Sequence, residues 1–303
     1  MLETEFVPED LPDEFLQYEH GVKQLVGGIG KTGALSMILE RDAEKTVVRE
    51  LFNKVPLRVQ KVLYVEESLP QMAYVYIMSP SGGILQGDRL RIDIAVKDHA
   101  QAHITTQAAT KVYKMNRNYA TQIINVCANA HSYLELIPDQ LIPYRNARFY
   151  QCVKMQVHDT ATAVYSEIIT PGRVARGECF AYDACCFKTV ATDHNSKIRF
   201  VDTFMLVPRK QKFFGFGFNA KSILANMYIL TGKIDAGSLS DVAHNIIAQN
   251  SVKGGTSVLP RKDGISARII ASSVEEAKNA IDMILNKIRR DILGGSFAGT
   301  RKY

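Results

Sequence analysis

Five carboxylates beside glycine or proline turns are the residues of this chain best placed to do chemistry: Asp88, Glu135, Asp139, Glu167 and Glu178. Oxygen donors without histidine or thiolate clusters around them suit weak, transient handling of a divalent cation better than tight storage. Two arginines three apart, Arg173 and Arg176, precede Glu178 in the stretch YSEIITPGRVARGE (Tyr165–Glu178). A guanidinium presents a planar fork that fits a carboxylate, so these arginines could clamp Glu135, Glu167 or Glu178. Spacing alone favours an internal ion-pair network that locks loops over a ligand site. The five cysteines form no C-x-x-C pair, and Cys185-Cys186 points its two side chains to opposite faces of a strand. His99 and His103 are four apart but fall in a turn-and-strand region. No tight structural metal site and no tightly bound cofactor are expected, and the G-x-S-x-G signature of a serine nucleophile is absent.

The stretch Gly27–Gly33, GGIGKTG, raises a different chemistry. A phosphate loop reads Gly, four residues, then Gly-Lys-Ser/Thr. Gly30-Lys31-Thr32 fits the end, but Leu25 occupies the first position. Such a loop must also leave a buried strand and open a helix, so that backbone N–H groups aim at phosphate. The flanking residues suggest a glycine turn into a strand instead. A nucleotide-binding enzyme using this loop is therefore the unfavoured alternative.

The elements that must position these residues are mostly strands. Strand-like runs recur from Ala34–Leu39 to Lys197–Leu206, separated by turn signals and by no helical crossover pattern. That argues against alternating βαβ units and for a mainly β body, antiparallel or helically wound. Arg148–Val157 alternates most clearly, with Phe149, Gln151, Val153, Met155 and Val157 on one face. Ser79–Leu90, SPSGGILQGDRL, sets Pro80, Gly82, Gly83 and Gly87 between the runs Tyr74–Met78 and Leu90–Val96. Read locally, it is a hairpin loop. Pro138 and Pro143 in LELIPDQLIPY fix a rigid extended connection. KQKFFGFGF (Lys210–Phe218) is basic and aromatic, and Ala220–Leu230 fits strand or helix. Leu239–Gln249 reads as a helix with Ser238 or Ser240 as N-cap, and residues 251–265 as turns.

The best helix is the last, about 273–293. Ser272 and Ser273 stand three before Glu275 and Glu276, the capping-box spacing. Val274, Ala277, Ile281, Ile284 or Leu285, Ile288 and Ile292 make an apolar stripe. Lys287, Arg289 and Arg290 complement the C-terminal dipole before Gly294-Gly295 ends the helix.

Charge is unevenly placed. Residues 1–20 hold seven acids and no lysine or arginine, which suggests a loosely ordered acidic arm before a single β-rich domain over 21–303. The other residues hold all 37 basic groups against 24 acidic ones, a formal +13. Such a body suits an acidic partner. With no RNP-like or arginine-rich run, a basic nucleic-acid-binding module is a weaker alternative. No apolar run approaches a membrane span, and no basic segment precedes an apolar one as in a signal peptide, so a cytoplasmic chain is expected.

GGILQGD (Gly82–Asp88), TTQAATKVY (Thr105–Tyr113), LELIPDQLIPYRNARF (Leu134–Phe149), SEIITPGRVARGE (Ser166–Glu178) and the closing stretch from Ser257 to Arg289 occur in family order. Together they resemble the UreD family of urease accessory proteins, called UreH in some organisms. The acidic first twenty residues look like an extension outside the pattern, and residues 208–250 match it weakly. The resemblance implies a helically wound β body with no catalysis of its own. It implies partnership with the urease apoprotein and UreF, and through UreF with the GTPase UreG, so that nickel reaches the urease active site. It admits a dimer of the chain within that complex. It also implies a polar internal channel. By motif matching, Asp88, Glu135, Glu167 and Glu178 are its candidates for transient nickel contact, with Arg173 and Arg176 ordering the walls and Gly82, Gly83 and Gly87 shaping the loop.

Overall fold

The structure is a computed structural model that describes Phe6, Pro8, residues 10–18, 30–210, Asn219, 222–297 and Gly299. In chain order its elements are α1 (Asp13–Leu16), β1 (Thr32–Asp42), β2 (Lys45–Lys54), β3 (Arg58–Val59), β4 (Ala73–Met78), β5 (Arg89–Val96), β6 (Gln101–Thr106), β7 (Thr110–Val112), β8 (Ala120–Ala128), β9 (Tyr133–Leu136), β10 (Leu141–Pro143), β11 (Arg148–Val157), β12 (Thr162–Ile169), β13 (Ala184–Thr192), β14 (Ile198–Leu206), β15 (Ile223–Thr231), α2 (Ala236–Gln249), β16 (Lys253–Val258), β17 (Gly264–Ala271) and α3 (Val274–Leu293).

The chain winds. One sheet runs β14-β13-β11-β8-β5-β1-β2 and the other β16-β17-β15-β12-β9-β6-β4-β3, with β10 and β7 attached. From β4 to β13 the chain passes back and forth between the sheets, so neighbours within a sheet lie one winding apart. They run parallel: β5 with β8, β8 with β11, β6 with β9 and β9 with β12. Antiparallel strands flank these centres, as β2 on β1, β14 on β13 and β15 on β12. The helically wound alternative thus describes the middle and the antiparallel one the edges. A parallel pair needs a long connection. Here the opposite sheet provides it, where an α/β fold would use a helix.

Winding corrects the local reading of Ser79–Leu90. β4 and β5 belong to different sheets, so the glycine-rich stretch is a corner between layers and not a hairpin. Gly82 and Gly87 sit at φ +81° and +76°, where glycine costs least. A Cβ on Gly83 would stand 2.7 Å from the Lys111 carbonyl oxygen and 2.7 Å from the Tyr113 ring, so the corner closes only without one.

Three apolar clusters organise the body. The largest fills the space between the sheets and includes Leu35, Ile94, Val126, Phe149 and Tyr165. The second lies where α2 and α3 cover the ten-stranded sheet. The third joins Phe15 to Tyr119, Tyr150, Cys152 and Cys186 on the outer face of the seven-stranded sheet. Because both faces of the central strands are covered, β12 and β15 are buried at every position. That is why Ala220–Leu230 showed no strand alternation.

α3 starts as its capping spacing requires: Ser273 Oγ accepts from the Glu276 N–H at 3.1 Å, and Glu276 Oε2 accepts from the Ser272 N–H at 2.9 Å. The cap of α2 is Asp235, which accepts from the Ser238 N–H at 2.8 Å, and neither Ser238 nor Ser240 takes that place. A short acid just before the helix satisfies an orphan N–H better than a serine already inside it. Residues 253–258, expected as turns, form the edge strand β16 on β17. The KQKFFGFGF stretch lies outside the described residues apart from Lys210. Among the described residues, no helix is long and apolar enough to cross a membrane.

Candidate functional site

Asp88, Glu135, Glu167 and Glu178 are all buried, and each is satisfied differently. Asp88, 2% exposed, ends the glycine corner and accepts from the Lys31 N–H and the Leu85 N–H, both at 2.8 Å. Burial pushes its carboxyl above the usual range, against the pull of those two N–H groups. Lys31 therefore contributes backbone to Asp88, and Thr32 opens a strand, not the helix a phosphate loop requires.

Glu135 and Glu167 stand on β9 and β12, adjacent parallel strands, but on opposite faces. Glu135 shares its face with Tyr133, under α3, whereas Glu167 shares its face with Tyr165, between the sheets. The resemblance implies both in one channel with Arg173 and Arg176 ordering its walls. The structure gives Glu135 another arginine. Arg289 of α3 donates to it twice, Nε to Oε1 at 2.7 Å and Nη2 to Oε2 at 2.5 Å. The Tyr133 hydroxyl adds a bond at 2.8 Å, and His103 Nδ1 lies 2.6 Å from Oε2. Arg289 Nη1 also donates to the Tyr74 hydroxyl at 2.7 Å and pairs with Glu66 at 3.4 Å. Burial alone would raise the Glu135 carboxyl, but the charge and bonds of Arg289, with His103, hold it down at about 2. Arg289 is wholly buried, so it does not serve as an exposed cation at the helix end. It falls four residues after Leu285 and eight after Ile281, squarely on the buried stripe. That spacing was the available signal.

Among the described residues, Glu167 accepts its hydrogen bonds from neutral side chains. Asn226 Nδ2 donates to Oε1 at 2.9 Å, and the Tyr165 hydroxyl and Gln151 Nε2 donate to Oε2 at 3.0 and 3.3 Å. Burial raises its carboxyl above the usual range, and the bonds from Asn226 and Tyr165 offset this only in part. It borders a cavity of about 50 Å³ between the sheets, with Gln151, Gln122 and Thr110 also in the wall. A second cavity of about 190 Å³ shares Gln122, Thr106, Thr110, Ile77 and Ile92 with the first, and reaches Gly82, Gly83 and Lys111. The glycine corner and Glu167 thus border two adjoining cavities with mostly apolar walls, whose shared polar residues are Thr106, Thr110 and Gln122.

Glu178 locks a loop. Arg173 grips it with two bonds, Nε to Oε2 at 2.8 Å and Nη2 to Oε1 at 2.6 Å, and the Arg145 N–H adds a third at 3.2 Å. Those bonds from Arg173 hold its carboxyl below the usual range. The Arg173 guanidinium also rests 4.0 Å from the Tyr144 ring centre. Arg176 is exposed on the short 3₁₀ turn Val174–Arg176. Asp139 pairs with Lys278 of α3 and also borders the smaller cavity. Among the described residues, no group of three His, Cys, Asp or Glu side chains could hold a metal ion. The four carboxylates do not converge on a point. Glu167 and the glycine corner border the adjoining cavities, Glu135 stands across the sheet from them, and Asp88 and Glu178 fasten loops.

Comparison with known sequences gives this arrangement a context. The family model described as UreD urease accessory protein matches residues 31–302. The urease accessory protein UreD of Cenarchaeum symbiosum (strain A) is 39% identical over 279 residues, covering 91% of this chain and 98% of that one. That of Photorhabdus laumondii subsp. laumondii is 34% identical over 286 residues, covering 93% and 89%. Urease accessory protein UreD 2 of Streptomyces griseus subsp. griseus is 34% identical over 284 residues, covering 91% and 95%.

Proposed function

The chain belongs to the UreD family of urease accessory proteins, and from that premise we propose that it is a non-enzymatic scaffold for urease maturation in the cytoplasm. In this reading it binds the urease apoprotein and UreF, which brings the GTPase UreG, and nickel passes to the urease active site as transient cargo. The observation that carries the reading is the pair of adjoining cavities that runs from the Gly82–Gly83 corner past Thr110 and Gln122 to Glu167. A buried carboxylate held by neutral donors can offer its oxygens to a passing divalent ion, because no arginine grips them. Oxygen and amide donors spread along the two cavities, without a three-ligand cluster, favour transit over storage.

The use of the Lys31 N–H by Asp88, and the strand that Thr32 opens, weigh against a nucleotide site on this chain. The experiment is co-expression of urease and its other accessory proteins with and without this chain, assaying urease activity and bound nickel together. Omission should leave urease nickel-poor and inactive, and adding the chain back should restore both. Equal maturation without the chain would overturn the proposal.

A further inference from the structure

The acidic arm and the basic body meet on the outer face of the seven-stranded sheet. Phe15 of α1 is wholly buried there, its ring edge-on to Tyr119 and Tyr150 at centroid distances of 5.8 and 6.2 Å. The Asp10 carboxylate accepts from the Tyr150 hydroxyl at 3.0 Å and pairs with Lys188. Glu14 pairs with Lys210 at 3.5 Å, and the Arg148 guanidinium lies 3.9 Å from the Tyr18 ring centre. Among the described residues the arm adds no strand to either sheet, and its one backbone tie to the body accepts from a side chain, the Thr121 hydroxyl donating to the Phe6 carbonyl at 3.1 Å. A segment held this way can leave without breaking a backbone ladder.

The arm covers only part of this face. It sits over the row Thr121, Tyr150 and Cys186, and over Cys152 in the next row. Further along the same strands, Ile38, Ala95, Cys127, Gln156 and Thr192 form one row flooring an open groove of about 480 Å³. The family match begins at residue 31, so the covered face belongs to the shared body and the arm does not.

We propose that the arm is a displaceable strap, and that the face beneath it is a docking surface for an acidic segment of a protein partner carrying an aromatic side chain. The partner's ring would enter the Tyr119–Tyr150 pocket that Phe15 fills. Its carboxylates would meet Lys188 and Lys210, which Asp10 and Glu14 now occupy. The contacts of the arm define that chemistry, and the excess of positive charge outside it supplies the attraction. The inference does not depend on the role in urease maturation.

The cysteines provide the test. Cys152 and Cys186 lie under the arm, 2% and 1% exposed, whereas Cys185 faces the core between the sheets. In the full chain under native conditions, a thiol reagent followed by mass spectrometry should label Cys152 and Cys186 about tenfold or more faster than Cys185. Phe15→Ala should widen that gap. Equal slow labelling of all three would mean that the arm leaves only when the body unfolds, and would overturn the strap. A synthetic peptide of residues 1–20 should bind saturably to the chain lacking those residues, more weakly as salt rises. The same peptide with Phe15→Ala should bind about tenfold or more weakly. Equal binding of the two peptides would overturn the docking surface. If the shortened chain does not fold, peptide competition in the full chain decides: excess peptide should accelerate labelling of Cys152 and Cys186, and no acceleration would overturn it.

Discussion

Glu135 and Glu167 sit on adjacent strands of one sheet, both buried, with carboxyls displaced in opposite directions. Glu135 faces α3 and is held by a buried arginine, which joins the last helix to the winding. Glu167 faces the other layer and is held by a tyrosine and two amides. The same residue type in the same sheet is thus a lock on one face and a chargeable group beside a cavity on the other. The neighbours decide which, and the side of the strand decides the neighbours.

The largest effect should come from breaking the lock. Arg289→Ala leaves Glu135 buried without its partner and should cost about 3–5 kcal/mol in denaturant unfolding. The double variant Glu135→Leu with Arg289→Met removes both charges but also takes a partner from the buried Tyr133 and Tyr74 hydroxyls, so it should recover only part of that loss. Failure to recover would mean that the network does more than join helix to sheet. Asp88→Ala strands the Lys31 and Leu85 N–H groups at the corner and should cost about 1–3 kcal/mol, read in the same way.

Glu167→Gln sharpens the contrast. Tyr165, Gln151 and Asn226 can rearrange around an amide, so stability should change by less than about 1.5 kcal/mol. Its pH dependence has a definite sign. A carboxyl raised by folding favours the folded state while protonated and becomes costly as pH rises from the ordinary glutamate value through its raised one. Glu167→Gln should therefore gain on the parent chain over that interval in paired pH titrations of stability. Glu135 behaves oppositely: its contribution is present above the ordinary value and fades as pH falls towards about 2. The smallest effect belongs to Lys31→Ala, which keeps the N–H that Asp88 uses and should leave thermal stability and urease activation unchanged.

Local pattern made much of this legible. Arg148–Val157 matches β11 in both limits, the capping serines start α3 where the spacing put them, and Arg173 does grip Glu178. Where both faces of an element are covered, the pattern faded, as along β15. Partners brought together by winding were not legible. Arg289 lies 154 residues from Glu135, and the rule that cations suit a helix C-terminus gave it a plausible exposed role that its place on the apolar stripe overrode. Nothing local told which face of β9 or β12 a glutamate would take relative to a helix much later in the chain.

The most direct measurement is urease activity and nickel content after co-expression with Glu167→Gln in place of the parent chain, with melting temperature and partner capture read on the same preparation. The expected result is a folded, partner-binding chain that yields nickel-poor urease. Full activation and full nickel loading by the folded variant would contradict the assignment of Glu167 to the path.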